Sequence, residues 1–135
     1  MTARSLQRFP LHLGRQGLTE PQPEFPPDER AMQWYVDYGA RHGADGTDGR
    51  LVSMFSFAED WTSWEMHPAG PEVVLCTSGS MTLHQEFADG RAETVTLGPG
   101  DYAINPPGVW HTADVTGEAT GVFITIGEGT QHRLR

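Results

Sequence analysis

The pentapeptide Trp64-Glu65-Met66-His67-Pro68 sets a carboxylate and an imidazole two residues apart. On an extended strand that spacing places Glu65 and His67 on one face and Trp64 and Met66 on the other. Beyond the short segment Pro68 to Pro71 stands Glu72, which opens the next extended run; a hairpin there would turn its carboxylate back toward His67. A second stretch runs from Gly98-Pro99-Gly100-Asp101 to Pro106-Pro107-Gly108-Val109-Trp110-His111. It reads as a tight turn, a short strand, a rigid Pro-Gly turn and a histidine at the head of a further strand. Two imidazoles and two carboxylates form a donor set for one divalent cation, hard enough for Fe or Mn and tolerant of Ni or Zn.

The elements that must position these groups are mostly β. Runs of alternating character, each bounded by Gly, Pro or Asp, cover Leu51 to Phe57, Ser63 to His67, Glu72 to Thr77, Met81 to Phe87, Glu93 to Leu97, Tyr102 to Asn105, His111 to Val115 and Val122 to Ile126. Short strands punctuated by turn signals imply an antiparallel barrel or sandwich rather than alternating strands and helices. Ahead of them, Pro21, Pro23, Pro26 and Pro27 enforce an extended, helix-refusing segment, so residues 1–27 read as an N-terminal arm. Asp28 can then cap a helix through Met32, Tyr35, Val36 and Ala40 to about Arg41. The chain of 135 residues suits one domain with a real core, a barrel at about 51–126 preceded by that helix within residues 28–135.

Composition narrows the partners. Nine Lys and Arg against 18 Asp and Glu give a net charge of −9, with no basic stripe, which disfavours a nucleic-acid partner. No apolar run approaches the ~20 residues that span a bilayer, so no membrane role is expected. The lone Cys76 cannot close an intrachain disulfide, and Met1 to Gly17 lack the apolar centre of a secretory leader, so the expectation is a cytoplasmic protein. No phosphate loop and no Gly-x-Ser-x-Gly elbow are present.

The spacings resemble the cupin superfamily, whose first motif reads G-x5-H-x-H, three or four residues, E, six residues, G, and whose second reads G-x5-P-x-G-x2-H-x3-N. Here His67, four residues, Glu72, six residues and Gly79 match the later part of the first motif. Gly100, Pro106, Gly108 and His111 match most of the second. The resemblance spans roughly Leu51 to Ile126. Three positions depart from it: Glu65 replaces the first histidine, Glu59 the early glycine, and Val115 the final asparagine. Glu65 leaves a ligand type in place, since a carboxylate also binds divalent metals.

The resemblance implies a jelly-roll β-barrel holding one divalent metal ion on Glu65, His67, Glu72 and His111. Family members are commonly homodimers, pairing a second copy over exposed strand edges. It also implies either an enzyme of oxygenase, isomerase or lyase type, dioxygenase-like, acting on a small molecule inside the barrel, or a noncatalytic binding or sensing module. Two carboxylates render a divalent ion formally neutral, which favours a neutral or chelating enol-type ligand over an anion. Glu65 can also leave the metal and act as a catalytic base. Plainer readings stand beside these: Glu72 as a strand-end charge, Glu65 as a replacement that abolished the site, Cys76 as a small buried hydrophobe and His84 as an outer-face residue. Trp61, Trp64 and Trp110 read as packing residues or as a stacking surface at the barrel mouth. Glu59 and Asp60 read as a solvated turn, and His12, His42 and His132 receive no role.

Overall fold

The computed structural model describes residues 2–135. Eleven strands and one α-helix follow in chain order: β1 Leu11–Leu13, β2 Thr19–Pro21, α1 Ala31–His42, β3 Arg50–Phe57, β4 Ser63–Met66, β5 Glu72–Ser78, β6 Met81–Glu86, β7 Ala92–Leu97, β8 Tyr102–Asn105, β9 Trp110–Val115, β10 Ala119–Thr125 and β11 Gln131–Leu134. They form a six-stranded sheet in the order β2-β1-β3-β10-β5-β8 and a five-stranded sheet in the order β11-β4-β9-β6-β7. Every pairing is antiparallel. No ladder joins the two sheets, so the structure shows two antiparallel sheets packed face to face rather than the closed barrel expected.

The period-two patterns fall where alternation places them. Val74 and Cys76 of β5, Met81 and Leu83 of β6, Ala113 of β9 and Phe123 of β10 point inward and form the core, with Phe55, Phe57 and Trp61 packed against it. The interior changes character along its length. On β5 the inward residues run from Glu72 to Val74 to Cys76, and on β9 from His111 to Ala113 to Val115. One end is therefore polar and the other apolar. Gly79 at the apolar end has φ +73, and a Cβ there would lie 2.0 Å from the Glu118 carbonyl oxygen, so only glycine fits this spacing.

Three local expectations need correction. The segment Pro68 to Pro71 is not a hairpin turn, because β4 belongs to the five-stranded sheet and β5 to the six-stranded one. It is a corner that crosses between sheets, drawn close enough that a side chain at Gly70 would strike Ile126. The helix begins at Ala31 rather than at an Asp28 cap, since Asp28 spends its carboxylate on the Arg30 backbone N–H and guanidinium. Its buried residue is Trp34, whose indole donates to Pro23 O at 3.1 Å, while Met32, Tyr35 and Val36 are exposed. The short strands β1, β2 and β11 were not legible; β1 pairs with β3 and β11 with β4. Among the described residues no helix is long and apolar enough to cross a membrane.

Candidate metal centre

The crossing corner is what gathers the four candidate residues. His67 follows β4 and His111 lies on β9, both from the five-stranded sheet, while Glu72 opens β5 of the six-stranded sheet. Glu65 lies directly opposite His111 in the β4–β9 pairing. His67 Nε2 stands 3.1 Å from Glu72 Oε2 and 3.8 Å from Glu65 Oε2; His111 Nε2 stands 3.3 Å from Glu72 Oε1 and 3.9 Å from Glu65 Oε2. Ligand atoms of Glu65, His67 and His111 all lie within 4.8 Å of one another. Glu72, from the other sheet, stands outside that group of three but approaches both imidazoles, through Oε2 to His67 and Oε1 to His111.

The ring orientations are set from behind. His67 Nδ1 meets Thr130 Oγ1 at 2.7 Å, and that hydroxyl spends its proton on Gly127 O at 2.8 Å, so Nδ1–H is the donor. His111 Nδ1 lies 3.3 Å from Val109 O, which can only accept. Both neutral imidazoles therefore carry the proton on Nδ1 and present a bare Nε2 to the centre. Both Nε2 atoms are buried and lack a hydrogen-bond partner among the described residues. Such orphaned ring nitrogens are costly unless a cation between them, or a proton on one of the rings, meets the facing carboxylates. The turn ahead of His111 is tied to the same place, since Gly108 N donates to His67 O at 3.0 Å.

The two carboxylates differ. Glu72 is 3% exposed, and its oxygens accept from Asn105 Nδ2 at 3.2 Å and Thr125 Oγ1 at 2.7 Å. Gln85 holds Asn105 in turn through a 2.8 Å bond. Glu65 has no hydrogen bond among the described residues, a side chain 32% exposed, and His132 Nε2 3.4 Å from its Oε1. His132, given no role from sequence, is carried there by β11, where it pairs with Glu65 in register. Burial disfavours ionising Glu72, yet His111 and His67 outweigh it and hold the carboxyl far below the usual carboxylate range. Burial likewise opposes charge on His111, but Glu65 and Glu72 push its pKa up to about 9. That attraction is between charges 3.3 and 3.9 Å apart rather than through a formed hydrogen bond. Without a metal, a proton supplies the positive charge that these carboxylates require.

Other residues singled out earlier lie elsewhere. Cys76 is buried in the core, its thiol directed to Ser78 O and Gly79 O. His84 lies on the outer face against Asp114 at 2.7 Å. Trp64 and Trp110 flank the Arg133 guanidinium, 5.1 and 4.6 Å from the ring centroids. Asp60 is exposed but accepts from Val115 N at 2.7 Å, so it anchors β9 rather than merely facing solvent. A surface depression bounded by Arg50, Val73 and Ile124 lies on the outer face of the six-stranded sheet, away from the inward-pointing donors.

His12 and His42, with Asp45, form a second cluster of metal-ligand types. Its groups satisfy one another. His12 is fully buried, with Nδ1 2.6 Å from the Tyr38 hydroxyl and Nε2 2.7 Å from Asp45 Oδ2. Asp45 Oδ2 can only accept, so the neutral ring carries its proton on Nε2 and Nδ1 accepts from the Tyr38 hydroxyl. The His42 ring stacks on His12 at 3.8 Å and 18°. Lone pairs in nearly parallel rings cannot converge on one ion, so the cluster is a structural tie between β1, α1 and the turn after it.

Residues 53–127 match the family described as Cupin domain. No curated protein matches the chain significantly. Among solved structures, Bacillus subtilis oxalate decarboxylase, studied for its Mn(II) centres, is similar at 15% identity and TM-score 0.54, over 71% of this chain and 26% of that one. An oxalate oxidase is similar at 17% identity and TM-score 0.53, over 60% of this chain and 44% of that one. A cupin superfamily protein from Desulfitobacterium hafniense shares 22% identity at TM-score 0.48, over 56% of this chain and 65% of that one. This chain thus spans less than two thirds of each of these proteins, and the likeness is one of fold.

Proposed function

This chain belongs to the cupin domain family, and from that premise we propose that it holds one divalent metal ion on His67, His111, Glu72 and Glu65 and uses it enzymatically. The observation that carries this reading is the pair of buried, unpartnered Nε2 atoms whose tautomers are set by Thr130 and the Val109 carbonyl. Neutral imidazole and ionised carboxylate are the forms a cation needs. The donor set fits Fe, Mn, Ni or Zn.

The reaction is of oxygenase, isomerase or lyase type on a small neutral or chelating molecule held between the sheets, which serve as the walls of the barrel. A bound divalent ion would supply Lewis acidity toward an oxygen of that molecule. The chain's own residues divide the remaining work. Glu72, held by Asn105 and Thr125, is the fixed carboxylate. Glu65, untethered and partly open to solvent, is the catalytic base that takes a proton from the bound molecule, and His132 lies within reach to pass it on. The protein works as a homodimer, for which exposed Tyr102 and Ile104 on edge strand β8 offer an apolar contact.

Metal analysis of untagged protein purified without added metal tests the centre. About one ion per chain is expected, with most of it lost in His67→Ala and His111→Ala. Glu65→Gln keeps the shape and removes the charge, so metal affinity should fall more than tenfold. Parent-like metal binding by Glu65→Gln would remove Glu65 from the ligand set. A centre that binds metal yet turns over no chelating enol in a panel would make the protein a binding module.

A further inference from the structure

Four buried side-chain nitrogen or oxygen atoms lack a hydrogen-bond partner among the described residues: Trp61 Nε1, His67 Nε2, His111 Nε2 and Asp114 Oδ1. Asp114 Oδ1 lies 2.7 Å from the Arg135 guanidinium, so its charge is met. The other three belong to Trp61 and the two candidate metal-binding histidines. The Trp61 indole stands edge-on to His111, with ring centroids 6.5 Å apart. A metal accounts for the two imidazoles, but an indole N–H is a donor only and needs an acceptor. Burying it without one is costly, and a bound oxygen would recover that cost.

The surroundings describe the rest of the ligand. Trp61 packs against Phe57 at 5.4 Å and Phe123 at 6.0 Å, and Phe55 lies 5.9 Å from Phe123. Phe55 and Phe57 share the inward parity of buried Leu51 and Ser53 on β3 and are both only partly buried, so the aromatic wall they form keeps some exposure to solvent. Aromatic walls and a single donor suit a planar, largely apolar body. The two carboxylates at the centre disfavour a dianion.

Resting on the metal reading above, we propose that Trp61 is a specificity-determining residue whose indole N–H binds an oxygen of a planar, mostly apolar, neutral or singly charged oxygen chelator seated among Phe55, Phe57 and Phe123. Tropolone, a planar monoanionic oxygen chelator, is the probe; oxalate, a dianionic chelator without an apolar body, is the contrast. Zinc-loaded protein, labelled with nitrogen-15, is titrated with each while the indole N–H signals are followed. The Trp61 signal should move on tropolone binding, whereas that of Trp34, already bonded to Pro23 O, should not. Trp61→Phe keeps a ring and removes the donor; tropolone binding should weaken about tenfold while zinc affinity stays within about twofold. An unmoved Trp61 signal with tropolone bound, parent-like affinity in Trp61→Phe, or oxalate binding as tightly as tropolone would each overturn the assignment. Failure of the parent protein to bind zinc would instead defeat the metal reading, and this inference with it.

Discussion

Thr130→Val isolates how the fold prepares His67. The threonine hydroxyl donates to Gly127 O and turns a lone pair on His67 Nδ1 at 2.7 Å, so the proton stays on Nδ1 and Nε2 is bare. Valine keeps nearly the same shape without that acceptor. His67 is 6% exposed, so water cannot readily replace it. The ring then gains by moving its proton to Nε2, which faces Glu72 Oε2 at 3.1 Å, and in that tautomer it cannot ligate. A net hydrogen bond of about 1–1.5 kcal/mol, at about 1.4 kcal/mol per tenfold, predicts roughly tenfold weaker metal binding, within the 10–100-fold typical of residues that orient a ligand. The assay is competition for zinc with a chromogenic chelator at pH 7.5, with Thr130→Ser, which restores the hydroxyl, expected within about twofold of the parent. Parent-like affinity in Thr130→Val alongside loss of binding in His67→Ala would refute the tautomer argument while leaving the ligand assignment standing.

Metal should also stabilise the fold, because donors from both sheets meet at the centre; free zinc at about 100 times its dissociation constant should add about 2.7 kcal/mol to unfolding, read by thermal denaturation with and without chelator. A Glu72→Leu variant should lose that increment. Burial first, then the neighbouring His12, hold His42 below its ordinary pKa. Because the unfolded chain then binds the proton more readily, stability from this site is present above about pH 6.5 and is lost as pH falls through that value and below. Urea denaturation at pH 7.5 and 5.5 should show a smaller pH difference in His42→Asn than in the parent; an equal difference would mean that His42 does not contribute. Gly79→Ala must adopt φ +73 and displace the Glu118 carbonyl, so it should cost about 2 kcal/mol or more in the same experiment. Light scattering at micromolar concentration should return twice the chain mass, and a monomer would remove the proposed dimer.

What was legible was local and periodic. Alternation placed Glu65 with His67 and is plain on β5, β6 and β10, where inward residues contrast with outward ones, while β4 and β7 were located by the turn signals that bound them. Gly79, Gly100 and Gly108 mark turns whose backbone demands them, and so they carry the motif spacing. Partners distant in sequence were not legible. Asn105 and Thr125 are ordinary strand polar residues until β8 and β10 flank β5 and bring them to Glu72. Thr130 and His132 lie on a tail whose Gln131–Leu134 strand has no apolar alternation, only backbone pairing with β4. On the helix, Met32, Tyr35 and Val36 satisfy the helical period yet stay exposed, while Trp34 is the residue buried, against Phe25 and Pro23. Periodicity reports that a face exists, whereas tertiary contacts choose which face is buried.

The same physical contrast explains how a carboxylate can stand where the motif has a histidine. An imidazole at position 65 would need its far nitrogen held by an acceptor, as Thr130 holds His67 and Val109 O holds His111. A carboxylate needs no tautomer set, so Glu65 can present an oxygen to the centre without a supporting hydrogen bond, and it has none. That freedom has an electrostatic consequence. Glu72 is buried and doubly anchored, and its charge is therefore committed to the centre; Glu65 is about a third exposed and faces both imidazoles and His132. Protonating Glu65 removes one negative charge from the centre without breaking any anchored contact, whereas protonating Glu72 would disturb Asn105, Thr125 and both histidines at once. The carboxylate free of anchoring contacts is thus Glu65, which is why the base is proposed there and the fixed ligand at Glu72.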